Sequence, residues 1–273
     1  MQTLKVLITV KTYPIPSAKY DELVCTAGVT ESGEFIRLYP IRFRDLPYSQ
    51  QYKKYQWIEV QAEKHKGRDA RKESYRPNED SIKTLGEPLG TQQGWAERAK
   101  FSLAKRTASM EVLYDHQKAD KTSLGVIRPK RFLDIDVSAD DPNWKPQFLE
   151  ALRQQRLWEQ RDASREPPRK VPWKFHYRFE CDDPRCKGNH RMMIEDWELG
   201  ALYWRCIDSG DSPSSAAAKV KDKFLGQMCA AERDTHLFVG TVLEHGTWVV
   251  IGVFWPPKAG SEKPAPSLFD GAD

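Results

Sequence analysis

Short apolar runs broken by turn residues dominate the start of the chain. Residues 4–10, Leu-Lys-Val-Leu-Ile-Thr-Val, are rich in β-branched side chains and predict a first strand. Lys11 to Ser17 carries two prolines and predicts a loop. Apolar positions recur over Glu22–Val29 and Glu34–Tyr39, around Glu31-Ser-Gly33, which is the pattern of a hairpin. Gln56–Glu63 follows as a further strand, with Trp57 and Val60 among its apolar positions. Several short strands joined by short turns predict a small barrel of the OB or SH3 kind.

Beyond Gly94 the period changes. Trp95–His116 has no glycine or proline and predicts a helix, with Thr107–Ser109 the place where it would break. Phe132–Val137 predicts a buried strand; Asp134 and Asp136 alternate on one face of it, as on an edge strand, more simply than as a metal pair. Asp141 or Asn143 is placed to cap a helix from Trp144 to about Arg161. Ile194, Trp197, Ala201 and Trp204 recur at helical spacing and predict a helix over Met192–Trp204. Ser215–Glu232 is the clearest helix, with Ala217, Val220, Phe224, Met228 and Ala231 in one stripe. His236–Thr241 and Thr247–Trp255 then predict a second hairpin.

This order of elements predicts an α+β protein: a small N-terminal β-barrel (OB/SH3-like), then a mixed α/β domain containing a zinc-binding loop. Asp162–Pro172, with three prolines and several charges, is the best linker candidate. The expected division is 1–80 for the basic barrel, 81–165 for a helix and strand extension, 166–256 for the zinc-loop domain and 257–273 for a disordered tail.

Composition narrows the classes. A charged fraction of 30% and a mean hydropathy of −0.70 are those of a well-solvated protein. The longest nonpolar run, Trp248–Trp255, is too short to span a bilayer. The first residues lack a cleavage-site pattern, and five cysteines do not make a secreted disulfide framework, so a cytoplasmic location is expected. Gly-Lys-Ser/Thr phosphate loops, dinucleotide glycine fingerprints and Gly-x-Ser-x-Gly elbows are missing from the sequence, which argues against ATPase, dehydrogenase and serine hydrolase activities.

Net charge is only +4 but unevenly spread. Arg37 to Arg76 holds eleven Lys/Arg against five Asp/Glu, interleaved with aromatic residues. Cations meet phosphates and exposed rings stack on bases, so this interval points to nucleic acid, DNA or RNA. Arg37, Arg42, Arg44, Lys53, Lys54 and Tyr55 are the expected contacts.

Cys181, Cys186 and His190 form the candidate metal loop. Four residues separate the cysteines and three separate Cys186 from His190, a spacing that suits a tetrahedral structural zinc ion. His176 would close the site locally; Cys206, Cys229 and His236 are the other candidates for a fourth ligand. A third group, Glu195, Asp196 and Glu198, would be the catalytic carboxylates if the protein were a magnesium-dependent nuclease. The remaining alternative is a scaffold or inhibitor that binds another protein.

Several phrases occur together: Lys11-Thr-Tyr-Pro, Val24-Cys-Thr-Ala-Gly28, Phe35-Ile-Arg-Leu-Tyr-Pro40, the run from Cys181 to Trp197, and Leu237-Phe-Val-Gly-Thr241. They resemble an uncharacterised bacterial family found in mobile or defence-associated gene clusters. The N-terminal part is similar to proteins with dual OB-type domains. The resemblance implies a bacterial source and a role in nucleic-acid metabolism or defence, and assigns no catalytic residue. Ala265-Pro-Ser-Leu-Phe269 resembles the peptides by which bacterial proteins dock on the DNA sliding clamp, with Leu268 and Phe269 as the apolar pair and Ala265 where glutamine is usual.

Overall fold

The computed structural model describes residues 1–17, 21–66, 69, 71–158, 166–242 and 246–260. The chain opens with strands β1 (Gln2–Lys11), β2 (Ile15–Ser17), β3 (Asp21–Val29) and β4 (Phe35–Ile41). Two short 3-10 turns lead to β5 (Trp57–Lys64), β6 (Ser74–Pro77) and β7 (Lys83–Leu85). Without the short β2 and β7, the strands close a five-stranded ring in the order β1-β3-β4-β6-β5 and back to β1. The β4–β6 pair is parallel and the other ring pairs are antiparallel. In chain order the ring runs first, second, third, fifth, fourth, which is an OB-type barrel.

Val6, Ile8, Val24, Ile36, Leu38, Ile58 and Val60 point into this barrel. Because side chains alternate along a strand, the neighbours of these residues must face outward. On β1, β3 and β4 that outer face is also buried, and a second sheet covers it.

Helices α1 (Gln92–Ser102) and α2 (Met110–Asp120) are followed by strands β8 (Leu124–Ile127) and β9 (Arg131–Ala139). Helix α3 (Pro146–Trp158), strands β10 (Trp173–Glu180) and β11 (His190–Met193), and helices α4 (Trp197–Asp208) and α5 (Pro213–Lys221) come next. Strands β12 (His236–Thr241) and β13 (Trp248–Phe254) end the fold. These strands form two three-stranded sheets, β11-β10-β9 and β13-β12-β8, joined by a parallel bridge between Ile194 and Val250.

Every residue of β12 and β13 is buried, because their sheet is covered on both sides. Phe238, Val249, Ile251 and Phe254 pack with Leu124 and Val126 against Val10, Ala27 and Tyr55 of the barrel. Leu237, Val239, Trp248 and Val250 face the other way, into a core shared with α4 and α5. That double burial explains why both strands read as continuous apolar runs.

Polar bonds fasten the same junction. Arg37, 2% exposed on β4, donates to Ser123 Oγ at 2.6 Å and to the Ser123 carbonyl at 2.9 Å. Glu73 accepts from the Ser123 amide and hydroxyl. Gly200 on α4 lies under the Tyr13 ring, and a Cβ there would fall 2.2 Å from ring carbons. Only glycine allows that approach.

Several sequence expectations change. The helix expected over Trp95–His116 is two helices, α1 and α2, separated across Leu103–Ser109. The segment expected as a helix over Met192–Trp204 begins as β11, and α4 starts only at Trp197. Ser215–Glu232 is the short α5 followed by a wider turn over Asp222–Gln227. The tail with Leu268 and Phe269 lies outside the described residues. No helix among the described residues is long and apolar enough to cross a membrane.

Candidate metal centre

Two distant pieces of chain build the centre. The first is the β10–β11 hairpin. Cys181 follows β10 directly, Cys186 lies in the connecting turn, and His190 begins β11, where it pairs with Phe179. The turn is held by the Cys186 amide donating to the Asp183 carbonyl, and Gly188 takes a left-handed φ of 68° that few other residues adopt. The second piece is the start of α2. Ser109 caps this helix, its Oγ accepting from the Val112 amide at 3.2 Å and donating to Asp183 Oδ2 at 2.7 Å. That tie sets the helix end against the hairpin and brings Glu111 to the cysteines.

The ligand atoms of Glu111, Cys181, Cys186 and His190 all lie within 4.8 Å of one another. Glu111 Oε1 is 2.9 Å from His190 Nε2, which is 3.4 Å from Cys186 Sγ. Both sulfurs accept backbone N–H groups: Cys181 from Met110 at 3.4 Å, Cys186 from Cys181 at 3.2 Å and from Gly188 at 3.4 Å. Amides aimed at sulfur favour the thiolate form, which is the form that binds metal. Burial works against it and pushes the Cys181 thiol up to about 12. A cation among the four donors would reverse that balance, since metal coordination deprotonates a thiol outright. Glu111 Oε2 is buried without a hydrogen-bond partner. Two sulfurs, one imidazole and one carboxylate make a closed four-donor set, so the residues present fit a metal ion held for structure.

The fourth donor-type side chain gathered with Cys181, Cys186 and His190 is Glu111, where His176 was expected. His176 lies five positions before Cys181 in an extended strand, so the two side chains leave opposite faces of the sheet. Its Nδ1 is 3.3 Å from an Arg191 nitrogen on the outer face. Cys206 is buried on α4, Cys229 Sγ donates to the Phe224 carbonyl, and His236 pairs with Asp234, so none of these joins the group.

The candidate carboxylates behave differently. Asp196 caps α4, its Oδ1 accepting from the Glu198 amide at 3.0 Å. Lys54 Nζ lies 3.0 Å from Glu198 and 3.5 Å from Asp196 Oδ2. Burial raises Asp196 to about 6, against the pull of Lys54. Burial would lower the Lys54 ammonium, but the two carboxylates more than offset this and keep it charged. Glu195 has its backbone tied to Val250 and Tyr13, and burial raises its carboxyl too. The three acids do not converge on a shared position, and an internal lysine already serves two of them. Among the described residues, the Glu111 group is the one cluster of three or more such donors.

The expected nucleic-acid contacts are mostly engaged within the protein. Arg37 is buried under Ser123, and Tyr55 is 4% exposed with the Arg98 guanidinium 4.3 Å above its ring. Arg42 pairs with Glu79, Arg44 with Glu22, and Lys54 with Glu198. Lys53 is half-buried, its amide donating to Gln56. The side chains of Arg37, Arg42, Arg44, Lys54 and Tyr55 thus take part in holding the barrel and its junction together.

Residues 105–273 match the family described as "Domain of unknown function (DUF8757)", and residues 2–104 match "Domain of unknown function (DUF8758)". The chain belongs to the first family, whose match covers more than half of it. No curated protein matches the chain. Among solved structures, a similar one is titled "Structure of murine DNA binding protein bound with ds DNA". It is 11% identical over 97% of this chain and 100% of that one, with a TM-score of 0.31, an overlap too loose to bear on this chain's fold or function.

Proposed function

We propose that this protein is a nucleic-acid-binding module, an OB-type barrel joined to a C-terminal half that a structural zinc ion fastens. The observation that carries the proposal is the closed ring β1-β3-β4-β6-β5 with an excess of cations in the interval that builds β4 to β6. Barrels of this type commonly bind oligonucleotides through loops at the ends of their strands. Thiolate and imidazole donors together select zinc over calcium or magnesium, and the four donors leave no open position for a reacting water. Glu111, Cys181, Cys186 and His190 would hold the ion, which would supply folding energy to the β10–β11 hairpin and α2.

The test is a gel-shift titration of the zinc-loaded protein with short labelled single- and double-stranded DNA and RNA at two salt concentrations. A shift that weakens steeply with salt and leaves the probe intact is expected, because each neutralised phosphate releases counterions. Absence of any shift at low salt would overturn the nucleic-acid reading.

A further inference from the structure

OB-type barrels usually present the outer face of their second and third strands, with adjoining loops, to a ligand. Here those strands are β3 and β4, and that face carries Ala27 and Arg37, both buried beneath the β13-β12-β8 sheet. A polyanion therefore has to meet the barrel elsewhere. The distribution of charge around β5 and β6 says where.

The acids of this region are drawn inward. Asp69 is 5% exposed and grips the Arg71 guanidinium, while Glu73 is 7% exposed and accepts from Ser123. The lysines go the other way. Lys64, Lys66, Lys72, Arg76 and Lys121 are all exposed. Three of them are tied together: Lys64 Nζ donates to the Lys72 carbonyl, and the Lys72 amide donates to the Lys121 carbonyl at 3.3 Å. Lys64 pairs in register with Tyr75, and its ammonium stands 4.5 Å from the centre of that ring. The exposed carboxylates among them are Glu63, opposite Arg76 in register, and Asp120, paired with Lys72. The surface thus keeps a net positive charge contributed by both halves of the chain, since Lys121 ends α2.

We infer that a nucleic-acid backbone crosses the molecule here, on a phosphate-binding surface formed by Lys64, Lys66, Lys72 and Lys121 beside Tyr75. The inference rests on the nucleic-acid reading above and adds the location. Pulling acids inward and lysines outward concentrates field at one end of the barrel, where the Lys64 ammonium stands over the Tyr75 ring. Lys121 makes the surface composite, so a barrel cut away from α2 would lack one of its phosphate contacts.

The experiment compares the wild type with Lys66→Glu/Lys121→Glu and with a control of equal charge change, Lys100→Glu/Lys145→Glu, at exposed positions elsewhere. Binding to the same labelled probes is measured across a salt series, with melting temperatures of all three proteins. Affinity of the first variant should fall at least tenfold, and its dependence of log K on log salt should flatten by about 2, one per lost phosphate contact. The control should bind like wild type. If wild type binds and the first variant loses no more affinity than the control, this surface is wrong while the nucleic-acid reading stands. If wild type gives no shift at low salt, that reading fails and takes this inference with it. Should the first variant melt markedly lower, Lys66→Gln/Lys121→Gln replaces it, with a flattening of about 2 still required.

Discussion

Among the described residues, two groups of ligand-type side chains invite comparison, and one of them has the character of a metal centre. Glu195, Asp196 and Glu198 are adjacent in sequence and rich in charge. Asp196 and Glu198 nevertheless share an internal cation, Lys54, and Asp196 also caps α4. Glu111, Cys181, Cys186 and His190 come from segments far apart in sequence and converge within 4.8 Å, and Glu111 pairs with His190 of the same group. Closeness in sequence is therefore a poor guide to a site. What matters is whether the fold has already supplied a counter-charge.

The largest expected effect follows from removing metal. Structural zinc contributes roughly 10–16 kcal/mol to small metal-dependent folds, though a core of this size would keep part of its structure without it. Chelation of the zinc-loaded protein should lower Tm by well over about 10 °C, since 1 kcal/mol corresponds to about 2–4 °C in domains of this size class. Cys181→Ser/Cys186→Ser should melt low with or without chelator. A wild-type Tm indifferent to chelation would mean that the four donors stabilise the hairpin without an ion.

The second effect breaks the other cluster. Lys54→Met would leave the buried Asp196, beside the part-exposed Glu198, without its cation. Removing one partner of a buried pair costs about 3–5 kcal/mol, so the variant should be strongly destabilised at pH 7 with its metal content unchanged. The pH dependence has a definite sign. Burial raises Asp196 to about 6 from an ordinary value of 3.8, so the folded state holds this proton more tightly than the unfolded one. Its contribution to stability is complete below 3.8 and is lost as pH rises through about 6. Without Lys54 the carboxyl rises further, so the deficit of the variant should shrink between pH 7 and pH 5, by at most about 1.4 kcal/mol per pH unit. Denaturant titrations of both proteins at the two pH values measure this, and a constant deficit would show that Asp196 does not take up the proton.

Much of the barrel was legible because β1, β3, β4 and β5 have apolar runs bounded by turn residues, and their ranges match the expected strands closely. The boundary of α4 was not. Ile194 falls at helical spacing from Trp197 by coincidence, while its backbone bridges Val250, and the true start is set by the Asp196 cap. Three metal donors were visible in the short Cys181–His190 interval. Glu111 was not, because nothing local in Met110-Glu111-Val112 marks a ligand, and only the tie from Ser109 to Asp183 brings it there. His176 looked suitable by distance along the chain, but strand parity sends it to the opposite face. Aromatic and basic interleaving between Arg37 and Arg76 mixed two populations: Tyr52 and Tyr55 went to the core, and Arg42 and Arg44 to partners contributed by Glu79 and Glu22.

The smallest effect separates the two candidates for the fourth donor. His176→Ala should leave metal stoichiometry and cobalt(II) spectra unchanged, because its ring lies across the sheet from the sulfurs and touches Arg191. Glu111→Gln keeps the size and helix position of the side chain but removes the anionic oxygen, so affinity should drop at least tenfold and the cobalt bands should shift. The pair is informative because both residues sit outside the Cys181–His190 loop, and the two changes differ in which face of the β10–β11 hairpin they alter. Loss of metal from His176→Ala with unchanged binding in Glu111→Gln would reverse the assignment. It would also mean that β10 twists enough near Glu180 to bring the outer face round to the thiols, against the regular pairing of His176 with Met193 and Phe179 with His190.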